Sequence, residues 1–104
     1  MRISVSSPGV DLSDADVDRI ADDLEKIDRR LSDWDQVDAE VRVNSHANQA
    51  SVYVVLELHY GSNHLIAKAD AAEPGLAVRA AREEILRQIN DRSRGGHSSF
   101  AKGR

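Results

Sequence analysis

Cysteine is absent from this chain of 104 residues, and only 4% of its residues are aromatic. Without cysteine the protein has no disulfide, no thiolate zinc site and no cysteine nucleophile. This absence is typical of a reducing cytoplasm, where disulfides are rare. No apolar run reaches membrane-spanning length, and the first residues lack the apolar core of a signal peptide. These absences predict a cytoplasmic protein without a membrane partner.

Charge is distributed unevenly along the chain, whose formal net charge is −4. Residues 1–40 carry 5 basic and 12 acidic side chains, whereas residues 41–104 carry 9 basic and 6 acidic ones. No acidic residue follows Asp91, although several basic residues do. Such asymmetry bears on binding partners and solubility rather than on the fold.

Hydrophobic periodicity divides the chain into six predicted elements. Apolar residues alternate along four segments, as in half-buried strands, and recur every three or four residues along two others, as in amphipathic helices. Ser13 and Pro74 stand where a helix N-cap and a first helical turn are expected. The predicted elements are a strand at 2–7, a helix at about 14–31, strands at 37–43, 50–60 and 64–70, and a helix from Pro74 to about Arg92.

The element order β-α-β-β-β-α predicts an α+β fold. Each strand has one apolar face and each helix one apolar stripe, so two helices packed on one face of a four-stranded sheet bury both. We expect a single domain over residues 1–94, ended by Gly95 and Gly96, and a flexible basic tail over 95–104. The other face of the sheet should meet water, because it carries Arg2, Asp38, Glu40, Arg42, Glu57, His59 and Lys68.

Candidates for catalysis are few. His59 and His64 flank the predicted turn at 61–63 and face each other across it, but a third metal ligand is missing from the pattern. A solvated pair of turn histidines is the simpler interpretation. His46 and His97 are expected in a loop and in the tail, and no serine stands in a nucleophile-elbow pattern. We therefore expect no enzymatic activity, no cofactor and no small-molecule substrate.

Basic residues form a stripe on each predicted helix. At about 100° per residue, each stripe lies away from the apolar residues of its helix, so the two stripes can form one basic surface. Arginine suits such a surface because its guanidinium binds phosphate in a bidentate manner. The stripes consist of Arg19, Lys26 and Arg30 on the first helix and Arg79, Arg87 and Arg94 on the second, with Arg82 nearer the core edge.

An alternative interpretation of the second stripe is that it only solvates the helix. Glu83 stands four residues from both Arg79 and Arg87, and Glu84 stands three residues before Arg87. Side chains at these spacings form ion pairs on a helix surface. Both interpretations of the stripe remain open at the level of the sequence.

Taken together, these segments resemble the family of ribosome hibernation-promoting factors and ribosome-associated inhibitors, also called sigma-54 modulation proteins. The resemblance covers residues 2–94 and is most specific over 65–89, "LIAKADAAEPGLAVRAAREEILRQI". The absence of a second domain matches the short form of the family. The residues that carry the resemblance are Ala67, Ala69 and Asp70, the cluster Leu76, Ala77 and Val78, the pair Arg87 and Gln88, the "LEKI" at 24–27 and Trp34.

The resemblance implies a function without catalysis. Such proteins bind the small ribosomal subunit in stress or stationary phase, in the channel for messenger and transfer RNA, where they inhibit translation and protect idle ribosomes. Basic residues of both helices contact the ribosomal RNA. The matching positions in this chain are Lys26, Arg29, Arg30, Arg79, Arg82, Arg87, Arg92 and Arg94.

Two other hypotheses stay open. The first is a protein-interaction or regulatory module that has the same fold and has lost RNA binding, since the chain is acidic and Glu83 and Glu84 interrupt its second helix. The second is a small hydrolase or metal enzyme that uses His59 and His64. An exposed edge strand would also permit a weak homodimer without requiring one.

Overall fold

The six predicted elements are present in the predicted order. The computed structural model describes residues 1–45 and 50–101, and within them the side chains up to residue 93. The prediction of an α+β fold is confirmed. The elements are β1 (Arg2–Ser6), α1 (Asp14–Arg30), β2 (Val37–Ser45), β3 (Val52–Tyr60), β4 (Asn63–Ala71) and α2 (Pro74–Ala101).

Ser13 is the N-cap of α1, as the sequence predicts, and it forms a capping box with Asp16. The N–H of Asp16 donates to Ser13 Oγ at 3.0 Å, and the N–H of Ser13 donates to Asp16 Oδ2 at 3.1 Å. Two backbone donors without a helical partner are thereby satisfied, and the carboxylate lies at the positive end of the helix dipole. At the other end, the N–H of Leu31 donates to the carbonyls of Ile27 and Asp28.

The four strands form one sheet in the order β1-β2-β3-β4. β1 is parallel to β2, with α1 as the crossover, and the other two pairs are antiparallel. The hairpin between β3 and β4 is tighter than predicted, because Asn63 already pairs with Tyr60. Gly61 makes this turn with a φ of 58°, in the left-handed region that favours glycine.

Both helices pack on one face of the sheet, and the core lies between the two layers. Strand register places the inward residues of β2 and β3 opposite each other, with Ala39 beside Leu58 and Val41 beside Leu56. Among the residues that the structure describes, Arg82 is the single buried charged side chain. The buried apolar residues of the helices, together with Leu31 at the C-cap of α1, are Ile20, Leu24, Ile27, Ala77, Val78, Ala81, Ile85 and Ile89.

The two helices run side by side in the same direction. Arg82 of α2 contacts Asp23 of α1, and further along both helices Arg30 of α1 contacts Asn90 of α2. Later residues of one helix therefore lie beside later residues of the other. We call the line along which α1 and α2 meet on the outer side of the domain the seam.

The end of α2 differs from the prediction, because the helix continues past Arg92 through Gly95 and Gly96 to Ala101. Glycine inside a helix costs about 1 kcal/mol relative to alanine, and it ends a helix only where it adopts the left-handed capping conformation. The predicted stop is therefore wrong. Within the described ranges, neither helix combines the length and the apolarity that crossing a membrane requires.

Candidate nucleic-acid interface

Exposed cations from both helices gather at the end of the seam where α1 finishes. Lys26 and Arg30 lie one turn apart on α1. The Nε–H of Arg30 donates to Asn90 Oδ1 of α2 at 3.1 Å. Lys26 is exposed, and among the described side chains it forms no ion pair. Within the described part of the chain, therefore, no carboxylate neutralises either cation.

A pocket of about 180 Å³ continues the seam towards the β3–β4 turn, and we call it the end pocket. Arg30 and Arg92 line it together with Trp34, Tyr60 and Asn63. The Nη1–H of Arg92 donates to Asn63 Oδ1 at 3.0 Å, so a neutral amide holds this guanidinium as well. Burial raises the pKa of the Tyr60 phenol, and the charges of Arg92 and Arg30 oppose that shift. The end pocket is therefore an electropositive concavity with an aromatic wall.

Trp34 forms part of that wall. Its ring meets the ring of Tyr60 edge-on, with centroids 5.0 Å apart and planes at 78°. A Cβ at Gly61 would lie 2.4 Å from Trp34 Cζ3, so the indole covers the β3–β4 turn closely. The residue is nevertheless 45% exposed. Trp34 is thus a cap on the core, with part of its ring open to solvent.

Arg82 connects the helices from inside the seam. Its side chain is only 7% exposed, and its Nη1–H donates to Asp23 Oδ1 of α1 at 3.3 Å. Its Nη2–H donates to Glu83 Oε2 at 2.8 Å. Arg79, one turn earlier, lies 4.0 Å from Asp23 on the exposed side. The structure therefore places Arg82 where it crosslinks two elements, while Arg79 is partly neutralised at the surface.

Arg87 lies on the opposite flank of α2, towards β4. Its Nε–H donates to Glu84 Oε1 at 3.0 Å, and its Nη1–H donates to Asp91 Oδ2 at 2.6 Å. Hydrogen bonds from Arg87 and Gln88 lower the pKa of Glu84 to about 2, and Glu84 in turn raises the pKa of Arg87. Gln88 also donates to the carbonyl of Ile66 in β4, which fixes the side of α2 on which this network lies.

The ion pairs match the sequence expectation in part. The predicted pair of Glu84 with Arg87 is confirmed. The predicted pairs of Glu83 with Arg79 and Arg87 are wrong, because the adjacent Arg82 engages the Glu83 carboxylate instead. The buried guanidinium already points to that side of the helix, so the neighbouring carboxylate reaches it without spanning a turn.

The eight predicted contact residues therefore occupy different surroundings. Lys26, Arg30 and Arg92 lie at the end of the seam, and none of the carboxylates that the structure describes pairs with them. Arg29 lies 4.0 Å from Glu25, and the side chain of Arg94 lies outside the described residues. Sequence reasoning missed Asn63 and Asn90, since each holds an arginine distant in the chain and no spacing rule connects them.

The open face of the sheet carries a second polar cluster. His59 and His64 are register partners and stack with ring centroids 4.1 Å apart. Glu57 Oε2 accepts a hydrogen bond from His64 Nε2 and lies 3.6 Å from His59 Nε2. The hydrogen bond to His64 is the main cause that lowers the pKa of Glu57. The expectation that a third ligand is missing is wrong, because alternation along β3 puts Glu57 on the same face as His59.

The domain is therefore a two-layer α+β fold with cations gathered along the seam between its helices. The model of the family described as sigma 54 modulation protein / S30EA ribosomal protein matches residues 3–94 of this chain. The chain belongs to that family, as the resemblance of its sequence predicts.

Two solved structures are similar to the domain. The crystal structure of the Protein Y N-terminal domain from Thermus thermophilus has a TM-score of 0.75 at 17% identity, covering 86% of this chain and 96% of that chain. A ribosomal subunit interface protein from Coxiella burnetii has a TM-score of 0.76 at 16% identity, covering 89% of this chain and 98% of that chain. At these identities the likeness shows a shared fold. No curated protein sequence matches the chain significantly.

Proposed function

We propose that this protein is a non-catalytic ribosome-associated factor that acts in the cytoplasm under stress or in stationary phase. It binds the small subunit through ribosomal RNA in the channel for messenger and transfer RNA, inhibits translation and preserves idle ribosomes. The observation that carries the proposal is the family match over residues 3–94. Inhibition then follows from occupancy alone, since a protein in that channel excludes the natural ligands without any bond being made or broken.

The cations at the end of the seam are the proposed RNA contacts. Lys26, Arg30 and Arg92 are free of carboxylates in the described structure, so each can release a counterion by meeting a phosphate. Asn90 and Asn63 already orient the two guanidiniums, which reduces the side-chain entropy lost on binding. Contacts of this kind position a protein on RNA without reading its sequence.

The paired arginines are expected to contribute less. For Arg87 a phosphate would have to displace Glu84 and Asp91, so the exchange gains little electrostatic energy. Arg82 is buried and supports the seam rather than meeting a ligand directly. Arg79 is intermediate, because its one carboxylate partner lies 4.0 Å away.

Binding of purified small subunits across a salt series tests this assignment. We expect the logarithm of the affinity to fall linearly with the logarithm of the salt concentration. The double variant Arg30→Gln/Arg92→Gln should reduce that slope by about 2, because each lost phosphate contact removes about one unit. The matched control is Arg87→Gln, which removes the same charge from a neutralised position and should change the slope by less than about one unit.

Two results would contradict the proposal. Wild-type protein that does not bind small subunits at low salt would exclude ribosome association. Equal slopes for the wild type and the double variant would exclude the end of the seam as the RNA contact, while leaving ribosome association intact.

The ion pairs of α2 favour a second candidate, a protein-interaction module that keeps this fold without RNA binding. Acidic partners already occupy Arg82 and Arg87, and the chain is net acidic. In that case Arg79→Glu and Arg30→Glu should each leave binding to a protein partner unchanged in a pull-down. If the proposed RNA interface is correct, each variant should instead lose a contact with RNA.

A further inference from the structure

Three ligand-bearing side chains converge on the open face of the sheet, on the side opposite the helices. The ligand atoms of Glu57, His59 and His64 all lie within 4.8 Å of one another. We propose that this cluster is a binding site for a divalent transition-metal ion, zinc foremost, with two imidazole nitrogens and one carboxylate oxygen as ligands and a fourth position open to solvent. The site lies outside the helix surface assigned above to RNA.

The hairpin itself holds the three ligands in place. His59 and His64 are direct register partners across β3 and β4, and Glu57 precedes His59 by two residues on the same face. The imidazoles stack with planes 13° apart and are about half exposed, at 53% and 47%, so an ion can reach them from solvent. The ligands thus come from two paired strands joined by a tight turn, so binding requires the side chains to turn and the backbone to move little.

The separations suit a small tetrahedral ion. Zinc binds imidazole nitrogen and carboxylate oxygen at about 2.0–2.2 Å, which puts neighbouring ligand atoms roughly 3.3–3.5 Å apart. His59 Nε2 lies 3.6 Å from Glu57 Oε2. His64 Nε2 hydrogen-bonds the same oxygen, and an entering ion would take the place of the proton that the two atoms share. This contact has to open, and the stacked rings of His59 and His64 have to turn so that both nitrogen lone pairs point at one ion.

Arg42 orients the carboxylate. Its Nη2 lies 3.4 Å from Glu57 Oε1, which leaves Oε2 directed at the two imidazoles. The positive charge of Arg42 is shared with Glu40, whose Oε1 lies 3.6 Å from Nη1, so its repulsion of a cation is partly offset. Outer partners of this kind fix metal ligands and contribute to their affinity.

The donor set selects among cations. Two imidazoles and one carboxylate suit zinc, nickel or copper, whereas magnesium and calcium prefer oxygen donors throughout. The competing explanation is a simple ion pair, in which Glu57 accepts a hydrogen bond from a protonated His64 and no metal binds. Zinc titration distinguishes the two.

The test uses the full chain without a histidine tag, after treatment with a chelator. Calorimetric titration with zinc at neutral pH should give one ion per chain, and magnesium should give no binding. Substitution of cobalt for zinc should produce the strong visible absorption of a four-coordinate site. Glu57→Gln and His64→Ala should each weaken zinc binding by more than the roughly 10- to 100-fold cost of losing an outer-shell partner.

The matched control is the double variant His46→Ala/His97→Ala, which removes the two histidines whose side chains lie outside the described structure. It should bind zinc as the wild type does. Circular dichroism of each metal-free variant establishes that the fold is retained, as expected for the two exposed histidines and for the isosteric change of Glu57 to glutamine. Absence of zinc binding by the wild type, or binding that survives His59→Ala/His64→Ala, would overturn the proposal. Neither outcome depends on ribosome binding.

Discussion

Replacing Arg82 with methionine should destabilise the domain strongly, although Arg82 lies far from the middle of the core. The Arg82 side chain is 7% exposed, and its guanidinium contacts both the carboxylate and the carbonyl oxygen of Asp23. Methionine preserves much of the apolar stem and removes every donor. Asp23 is itself 13% exposed, and its Oδ2 already has no hydrogen-bond partner within the described residues. The variant would therefore leave a mostly buried negative charge.

The expected loss of stability depends on how well other groups compensate the negative charge of Asp23. Removing one partner of a buried ion pair costs about 3–5 kcal/mol when the other charge is left alone. Arg79 stays 4.0 Å from Asp23 and some solvent reaches the carboxylate, so we expect a smaller loss. A loss of about 2–3 kcal/mol is a large part of the roughly 5–15 kcal/mol that stabilises a domain. At about 4–8 °C per kcal/mol, the melting temperature should fall by roughly 10–20 °C.

Thermal and urea unfolding followed by circular dichroism would measure this loss. The control Arg87→Met removes an arginine with exposed ion pairs, and it should cost less than about 1 kcal/mol. Adding Asp23→Asn to Arg82→Met should recover part of the stability, because no uncompensated charge remains. The reasoning would be refuted if Arg82→Met melted within about 2 °C of the wild type, since that shift corresponds to less than about 1 kcal/mol.

Two further predictions concern the β3–β4 turn and the flank of α2. Gly61→Ala should lower the free energy of unfolding in urea by about 1–3 kcal/mol, because its Cβ would lie 2.4 Å from Trp34 at a φ of 58°. The double variant Gly61→Ala/Trp34→Ala should lose less stability than the sum of the two single changes. Strictly additive losses would exclude the clash. In an NMR titration the Glu84 carboxyl should show a pKa of about 2, and Arg87→Gln should move it towards 4.5. Because the folded pKa lies below the unfolded value, the stabilisation by Glu84 is present above about pH 4.5 and is lost as the pH falls towards 2; a wild-type midpoint near 4.5 would contradict the network.

The fold was predictable because its signals are local. Alternation along the strands and the helical repeat are properties of neighbouring residues, and so is the N-cap at Ser13. The end of α2 was not predictable from Gly95 and Gly96, since glycine specifies a helix end only through a backbone conformation that the sequence leaves open. The tight turn at Gly61 was predicted to within one residue.

The sequence predicts which basic residues form the candidate site, but it does not predict all of the ion pairs that they make. Glu84 and Arg87 are three residues apart, so helix geometry alone predicts their ion pair. The contact between Arg82 and Asp23 joins two helices, and nothing in the spacing of the residues specifies it. Which arginines are neutralised is therefore a tertiary property. Glu57 was the exception, since alternation along its own strand already placed it beside His59.

The mixed pairing of the sheet also orders the assembly of the domain. β3 and β4 are joined by a short turn, so their hairpin can close within about 1–10 μs. In contrast, β1 pairs residue 3 with residue 39, and the two strands can meet only after α1 has crossed over. Closing this long connection costs more conformational entropy than closing the β3–β4 turn, and that cost arises before the strand contacts form. The hairpin that carries Glu57, His59 and His64 can therefore form first, and we expect the parallel edge strand to dock late and to detach early during unfolding.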